Sequence, residues 1–380
     1  MEKCSRYVGL DVHAESIAIA VADADGGEVR ALGTIPNEAG AIKKALKKIG
    51  ELREMRVCYE AGPCGYVLYW QLKELGCECM VVAPTLIPVR TGDRIKTDRR
   101  DAMKLARFLR SGELTAVWVP DAECEALRNL VRARQAAKQD ERRAKNRLSK
   151  FLLRAGLRPA KKTKSFGQAH IQWLRLQGVA FKQVSDQVTY EEYLSEWDHQ
   201  HTRVLRMETL LAEAFERMPK RQQGVVKALM GLKGVARISA MTVTAEVGSF
   251  NRFESPRQLM AYGGVVPSEY SSGKSVHRGG ISKTGNALLR HSLSESAWSY
   301  RHGATPGAQV KTRRVELSAT IVGICQKADK RLTRKYRGLI ERGKPTQKAA
   351  VAVSRELLGF MWAAACEAER QFDQRHPRAA

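Results

Sequence analysis

Four carboxylates near the N-terminus fall where apolar runs end or a helix begins, and that placement limits the fold sharply. Asp11 closes the run Tyr7-Val-Gly-Leu-Asp11, and Glu60 closes Arg56-Val-Cys-Tyr-Glu60. Asp98 and Asp101, in Lys96-Thr-Asp-Arg-Arg-Asp101, open a helix three residues apart and so share one of its faces. Carboxylates converging from strand ends and a helix start repel one another unless a divalent cation sits between them. Each acid alone fits an ordinary turn or cap; the set points to a metal site at the edge of an α/β sheet. Hard oxygen ligands suit Mg2+ or Mn2+ rather than zinc.

The periodicity along residues 5–119 agrees with such a sheet. Residues 7–10 and 16–22 are strand-like, with Ile17, Ile19 and Val21 alternating. After the turn Asp25-Gly-Gly27, residues 28–34 read as a third strand. Residues 38–52 form an amphipathic helix, 55–59 a strand, 66–75 a helix ended by Gly76, and 78–82 a strand. Thr97 is a good N-cap for a helix running to about Leu109, with Asp98 and Asp101 in its favourable first turn. The order βββαβαβα matches a ribonuclease-H-like layout, in which a hairpin, a later strand and a final helix bring acids to one sheet edge.

Charge supplies the partner class. The chain carries 65 Lys+Arg against 40 Asp+Glu, a net +25, which attracts polyanions and releases their counterions. Nucleic acid is the expected partner. Eight cysteines form no zinc-like spacing and read as reduced thiols of a cytoplasmic protein. Charges interrupt the first 15 residues, which argues against a signal peptide, and no run reaches the ~18 apolar residues of a membrane span.

The rest of the chain divides in two. Residues 121–219 read as a coiled-coil arm, with long helices at 121–156 and 190–217 and a basic, irregular insertion from Arg158 to Gln187. Arg132, Arg134, Lys138, Arg142, Arg143, Lys145, Arg147 and Lys150 cover the first helix outside its apolar stripe, either as a solvated face or as a nucleic-acid contact. Residues 220–380 read as an all-α domain. Its Gly231-Leu-Lys-Gly234 turn fits a helix-hairpin-helix whose amides grip phosphate. Within it, residues 267–285 form a polar loop without apolar periodicity. The loop holds Ser268, Ser271, Ser272, Ser275 and Ser282 among Lys274, His277, Arg278 and Lys283. A serine attacks phosphorus only when a base or metal activates it and cations neutralise the phosphate. The loop supplies the cations but no evident carboxylate base, so a phosphate-gripping loop is equally consistent. His13 and His277 read as hydrogen-bonding or phosphate contacts.

Taken together, Gly9-Leu-Asp-Val12, Tyr59-Glu60-Ala-Gly62, Lys96-Thr-Asp-Arg-Arg-Asp-Ala102, Gly231-Leu-Lys-Gly234, and Tyr262-Gly-Gly-Val-Val-Pro267 followed by Ser271-Ser-Gly-Lys-Ser275 occur in one order. This resembles the DEDD transposases of the IS-one-ten family of bacterial insertion sequences, kin to the Piv DNA invertases, over nearly the whole chain. The resemblance implies a RuvC-like domain over residues 1–120, a coiled-coil arm over 121–219 and a helical transposase domain over 220–380. It implies that Asp11, Glu60, Asp98 and Asp101 bind Mg2+, and that Ser272 forms a covalent phosphoserine link to DNA. RuvC-like acids of another subunit would complete that site. It also implies target and donor DNA as substrates, a non-coding bridge RNA as guide, and dimers that assemble into a synaptic tetramer on the bacterial nucleoid. Lys274, His277, Arg278, Lys283, Arg142, Arg143 and Arg147 are the expected nucleic-acid contacts. The turn departs from the family's usual Pro-Gly-Ile-Gly, and the insertion from Arg158 to Gln187 is longer than a plain turn. The rival readings are a RuvC-like nuclease that uses metal-activated water, a DNA invertase without guide RNA, and a basic architectural protein whose acids are structural.

Overall fold

The computed structural model describes residues 4–88, 97–160, 163–272 and 275–376. The chain divides into two compact units, Met1–Pro120 and Asp121–Ala380.

The first unit is a five-stranded sheet with helices on both faces. In chain order it runs β1 (Arg6–Val12), β2 (Ser16–Asp23), β3 (Arg30–Pro36), α1 (Ala39–Ile49), β4 (Met55–Glu60), α2 (Val67–Glu74), β5 (Glu78–Val82) and α3 (Asp98–Ser111). The sheet order is β3-β2-β1-β4-β5. β1 pairs antiparallel with β2 and parallel with β4, and β4 pairs parallel with β5. The expected succession of elements is present, with the third strand starting at Arg30 rather than 28 and the first helix stopping at Ile49. A register shift between Ile19 and Ala20, where β2 meets β3, accompanies that later start.

The two faces of β2 explain the layers. Ile17, Ile19 and Val21 lie in one core with Ile42, Leu46, Leu68 and Leu72 from α1 and α2. Ala18, Ala20 and Ala22 point the other way and pack on Ala102 and Ala106 of α3. Small residues on that face let the helix approach closely. Gly9 of β1 is the tightest point: a Cβ there would stand 2.3 Å from the Ala102 carbonyl oxygen and 2.4 Å from the Ala106 nitrogen.

The second unit is mostly helical. It comprises α4 (Ala122–Arg154), α5 (Gln168–Arg175), α6 (Val184–Arg217), α7 (Lys220–Met230), α8 (Arg237–Val247), α9 (Pro256–Tyr262), β6 (Pro267–Ser272), β7 (Ser275–Ile281), α10 (Ala287–Ala297), α11 (Ala308–Val315), α12 (Ala319–Glu341) and α13 (Thr346–Arg375). α4 and α6 run antiparallel, as the pairings Arg147–Glu196 and Arg203–Asp140 show. Leu127 and Val131 of α4 and Leu211 and Phe215 of α6 belong to the main core, while Phe151, Leu174, Tyr190 and Trp197 form a separate core further along the pair.

Two expectations need correcting here, and a third needs one addition. The segment from Arg158 to Gln187 is not irregular throughout: it contains α5, and α6 begins at Val184 rather than 190. Apolar Ile171, Leu174 and Phe181 account for this by packing into the second core. The polar loop at 267–285 is a β-hairpin for most of its length; it stands out as an exposed ribbon and so lacks the apolar alternation of a half-buried strand. Finally, α13 is long and apolar enough to cross a membrane by composition alone, although no single uninterrupted apolar run shows it. Its apolar face, including Val353, Leu357, Met361 and Ala365, is buried in the helical core.

Candidate metal centre and serine hairpin

The close contact at Gly9 places the acids. Side chains alternate along a strand, so Asp11, two residues after Gly9, is on the α3 side of the sheet. α3 begins at Asp98, one turn before Ala102, so its first turn comes to the end of β1. Thr97 caps it, its side chain accepting from the Arg100 N–H at 3.4 Å. Glu60 ends β4, one position past the last β1–β4 partners, Leu10 and Tyr59. Asp11 and Glu60 therefore occupy neighbouring positions at the ends of parallel strands.

The closest grouping is Asp11, His13 and Asp98, whose ligand atoms all lie within 4.8 Å of one another. The His13 Nε2 stands 3.4 Å from Asp11 Oδ2 and 3.5 Å from Asp98 Oδ1. The turn that carries His13 is pinned from β3, where Asn37 Nδ2 donates to the His13 carbonyl at 2.8 Å. Asp101 adds a buried carboxylate oxygen, Oδ2, with no hydrogen-bond partner among the described residues. Burial pushes the Asp11 carboxyl up from the ordinary range; His13 pulls it down, and the charges of Asp101 and Asp98 push it further up.

These features fit a divalent cation. An orphaned oxygen, a carboxyl group raised by burial and by two nearby carboxylates, and a ring nitrogen beside two carboxylates form a donor set of hard oxygens with one nitrogen. Asp11 and Asp98 are brought together as expected, and Asp101 reaches them electrostatically. Glu60 and Asp101 both lie outside the three-residue group. His13 enters it, although the sequence reading made it a hydrogen-bonding residue. The available signal was the Asp-x-His spacing, which puts His13 one residue past the end of β1 and near Asp11.

The hairpin separates the two adjacent serines. Ser272 pairs with Ser275 and Tyr270 with His277, whereas Ser271 pairs with Val276 and Glu269 with Arg278. Cross-strand partners share a face, so Ser272 lies on the side of Tyr270 and His277, and Ser271 on that of Glu269. The Ser271 hydroxyl donates to Glu269 Oε1 at 2.8 Å. The carboxylate that seemed missing is thus two residues from Ser271, visible only once the segment is extended. Lys274 lies outside the described residues. Lys283 follows β7 with a positive φ of 58°.

The base of the hairpin is fixed by close backbone approaches and a buried acid. Gly264 (φ +61°) and Gly285 (φ +79°) face the carbonyls of Thr284 and Tyr262, where a Cβ would come within 1.8 and 2.2 Å. Glu246 of α8 is fully buried. It takes a bidentate pair from Arg132 (2.8 and 2.9 Å) and a hydrogen bond from the Asn286 side chain, which also caps α10.

Much of the basic stripe on α4 is spent on structure. Arg132 holds Glu246, Arg134 pairs with Glu208, and Lys138 and Lys145 both hold the buried Glu141 at 2.6 and 2.7 Å. These four are therefore not a free solvated face. Arg142 is exposed, Arg143 pairs with Asp140 at 2.9 Å, and Arg147 stands 3.8 Å from Glu196. The turn Gly231-Leu-Lys-Gly234 is also structural. Leu232 is fully buried, Lys233 donates to the Gly303 carbonyl, Arg314 Nε donates to that of Gly231, and a Cβ on Gly234 would stand 2.2 Å from the Ser296 oxygen. Its glycines serve packing, which corrects the phosphate-gripping expectation.

Comparison with known proteins gives the family. Residues 8–156 match the family model of the DEDD transposases of IS110, the IS-one-ten family, and residues 226–310 match the transposase IS116/IS110/IS902 family. The chain is 44% identical over 367 residues to the y4qE protein of Sinorhizobium fredii, assigned as a transposase, covering 96% of this chain and 89% of the relative. It is 34% identical over 337 residues to the transposase for insertion sequence element IS1533 of Leptospira borgpetersenii, covering 88% and 96%. It is 23% identical over 290 residues to the pilin gene-inverting protein of Moraxella bovis, covering 75% and 70%.

Proposed function

The chain belongs to the IS110 family of transposases, and from that footing we propose that it exchanges DNA strands through Ser272, with Mg2+ held by Asp11, Glu60, Asp98 and Asp101 in a RuvC-like domain. The observation that carries the metal half is the convergence of Asp11, His13 and Asp98, with an unpartnered buried oxygen on Asp101 in the same first turn of α3 as Asp98.

When bound, the cation polarises the scissile phosphate and favours the deprotonated nucleophile. The acids would hold it, with the His13 ring nitrogen beside Asp11 and Asp98. His277 and Lys283 lie on or beside the hairpin and, with Lys274 and Arg278, neutralise the phosphate as charge builds on it. The Ser272 oxygen bonds to phosphorus, the bond to one sugar oxygen breaks, and that oxygen leaves carrying the proton the serine gave up. The sugar hydroxyl of a second strand reverses the step. Activation of Ser272 is assigned to the acids of a second subunit, in a dimer that assembles to a tetramer. Target choice is assigned to a bridge RNA paired with target and donor DNA, Arg142, Arg143 and Arg147 being its proposed contacts on α4. The site of action is the bacterial cytoplasm, on the nucleoid.

The 2.8 Å bond from Ser271 to Glu269 favours a second reading, in which Ser271 is the nucleophile and Glu269 its base. Strand-exchange assays with Asp11→Ala, Ser272→Ala and Ser271→Ala test both. Loss with Asp11→Ala and Ser272→Ala alone supports the first reading. Loss with Ser271→Ala and retention with Ser272→Ala supports the second.

A further inference from the structure

A basic trough runs along the helical unit beside the base of the hairpin. Its widest part is a cleft of about 770 Å³, walled on one side by Pro267, Gly279 and Gly280 and on the other by Lys335, Lys344, Lys348 and Arg355. Two further clefts adjoin it. One of about 410 Å³ shares Lys335 and adds Arg334 and Arg342; the other, of about 570 Å³, shares Arg355 and adds Arg257. Every charged residue lining the three, apart from Glu356, is a cation. Glu356 is already engaged by Arg331 at 2.8 Å and Lys335 at 2.5 Å, which hold its carboxyl below the ordinary range against the effect of burial. Among the described residues, Arg334, Arg342, Lys344, Lys348 and Arg355 make no ion pair.

We propose that this trough between the hairpin base and helices α12 and α13 is a binding groove for the DNA backbone. A single small anion needs two or three converging cations. Here the cations are strung along two helices and the turn between them, from Arg334 through Arg342 and Lys344 to Lys348 and Arg355, which suits a row of phosphates instead. Gly279, Gly280, Gly338 and Ala352 keep the walls low, so a sugar-phosphate chain can approach the backbone. Cations that meet phosphates position DNA without selecting sequence. The groove's helices lie beyond the matched residues 226–310 of the transposase family model. The choice of DNA rests on the family's DNA chemistry, not on which serine or acid does the cutting.

The test uses the full chain with Lys344→Ala, Lys348→Ala and Arg355→Ala combined. A control with Lys43→Ala, Lys47→Ala and Lys48→Ala removes the same charge from the exposed side of α1. Fluorescence anisotropy would follow binding to a mixed-sequence DNA duplex and to a single-stranded RNA across a salt series, with circular dichroism to verify folding. The groove variant should lose about tenfold or more in duplex affinity, and its salt slope should shallow by roughly 2 to 3, about 0.9 for each phosphate contact removed. The control should keep nearly the parent slope. Unchanged duplex binding, an equal loss in the control, or a loss for RNA alone would each overturn the proposal. Failure of the serine or metal assignments would leave this result unaffected.

Discussion

Gly9 lies directly beneath Ala102: a methyl group on the strand residue would stand 2.3 Å from the helix carbonyl. Neither partner can yield, because both belong to the backbone of regular elements. The contact sets how far the first turn of α3 reaches over the end of β1, and so how close Asp98 comes to Asp11. Gly9→Ala should cost about 2 to 3 kcal/mol by overpacking and weaken metal binding with it. Gly40→Ala, where a Cβ meets nothing within 4 Å, should be neutral or stabilising by up to about 1 kcal/mol. Thermal denaturation and metal titration of the two variants check this.

Divalent cations should stabilise the first unit. At a hundred times its dissociation constant, a cation that binds only the folded chain contributes about 2.7 kcal/mol. The folded pKa of Asp11 is raised, so its own contribution is present below the ordinary carboxylate range and lost as pH rises through the folded value. A bound cation relieves that loss, so the gain in Tm from Mg2+ or Mn2+ should grow as pH rises. Asp101→Asn should lose most of the gain. Calorimetry with and without chelator would show a gain independent of Asp101 if the site is misassigned.

Glu246 ties α4 to the base of the serine hairpin. Glu246→Gln leaves Arg132 and the buried Arg128 without their counter-charge, which should cost about 3 to 5 kcal/mol. The double variant with Arg132→Met should recover part of it, as a double-mutant cycle in urea would reveal. Additive losses would mean the pair is not coupled.

The α4–α6 pair carries a pH-sensitive ion cluster. Burial raises Glu141, but hydrogen bonds from Lys138, Lys145 and His201 outweigh it and bring the pKa to about 2 from an ordinary 4.5. A depressed carboxylate stabilises above its unfolded value and stops doing so as pH falls through the folded one. Wild-type Tm should therefore drop more steeply than that of Glu141→Gln between those two values, and parallel curves would contradict it.

The strand and helix order of the first unit was legible because its elements carry strong periods and clear ends. The approach of Asp98 to Asp11 was legible because a Thr-capped helix start follows a strand-end acid in the expected element order. What the sequence hid depended on partners distant in the chain. Nothing local says that Gly9 must face Ala102, that Arg132 is spent on Glu246, or that the Gly231–Gly234 turn is packed in a core. The hairpin was hidden for another reason: an exposed two-stranded ribbon buries neither face, so Ser271 and Glu269 showed no alternation to reveal that they share a side.

The most direct measurement of the central claim is a trapping experiment. The protein would be mixed with end-labelled target and donor DNA, the RNA flanking its element and Mg2+, then quenched in denaturant and resolved on a gel. Label should shift onto the wild-type chain and onto Ser271→Ala, and not onto Ser272→Ala, Asp11→Ala or a chelated sample. Cut DNA with no protein-bound label at any quench time would contradict the account and leave a metal-dependent nuclease in its place.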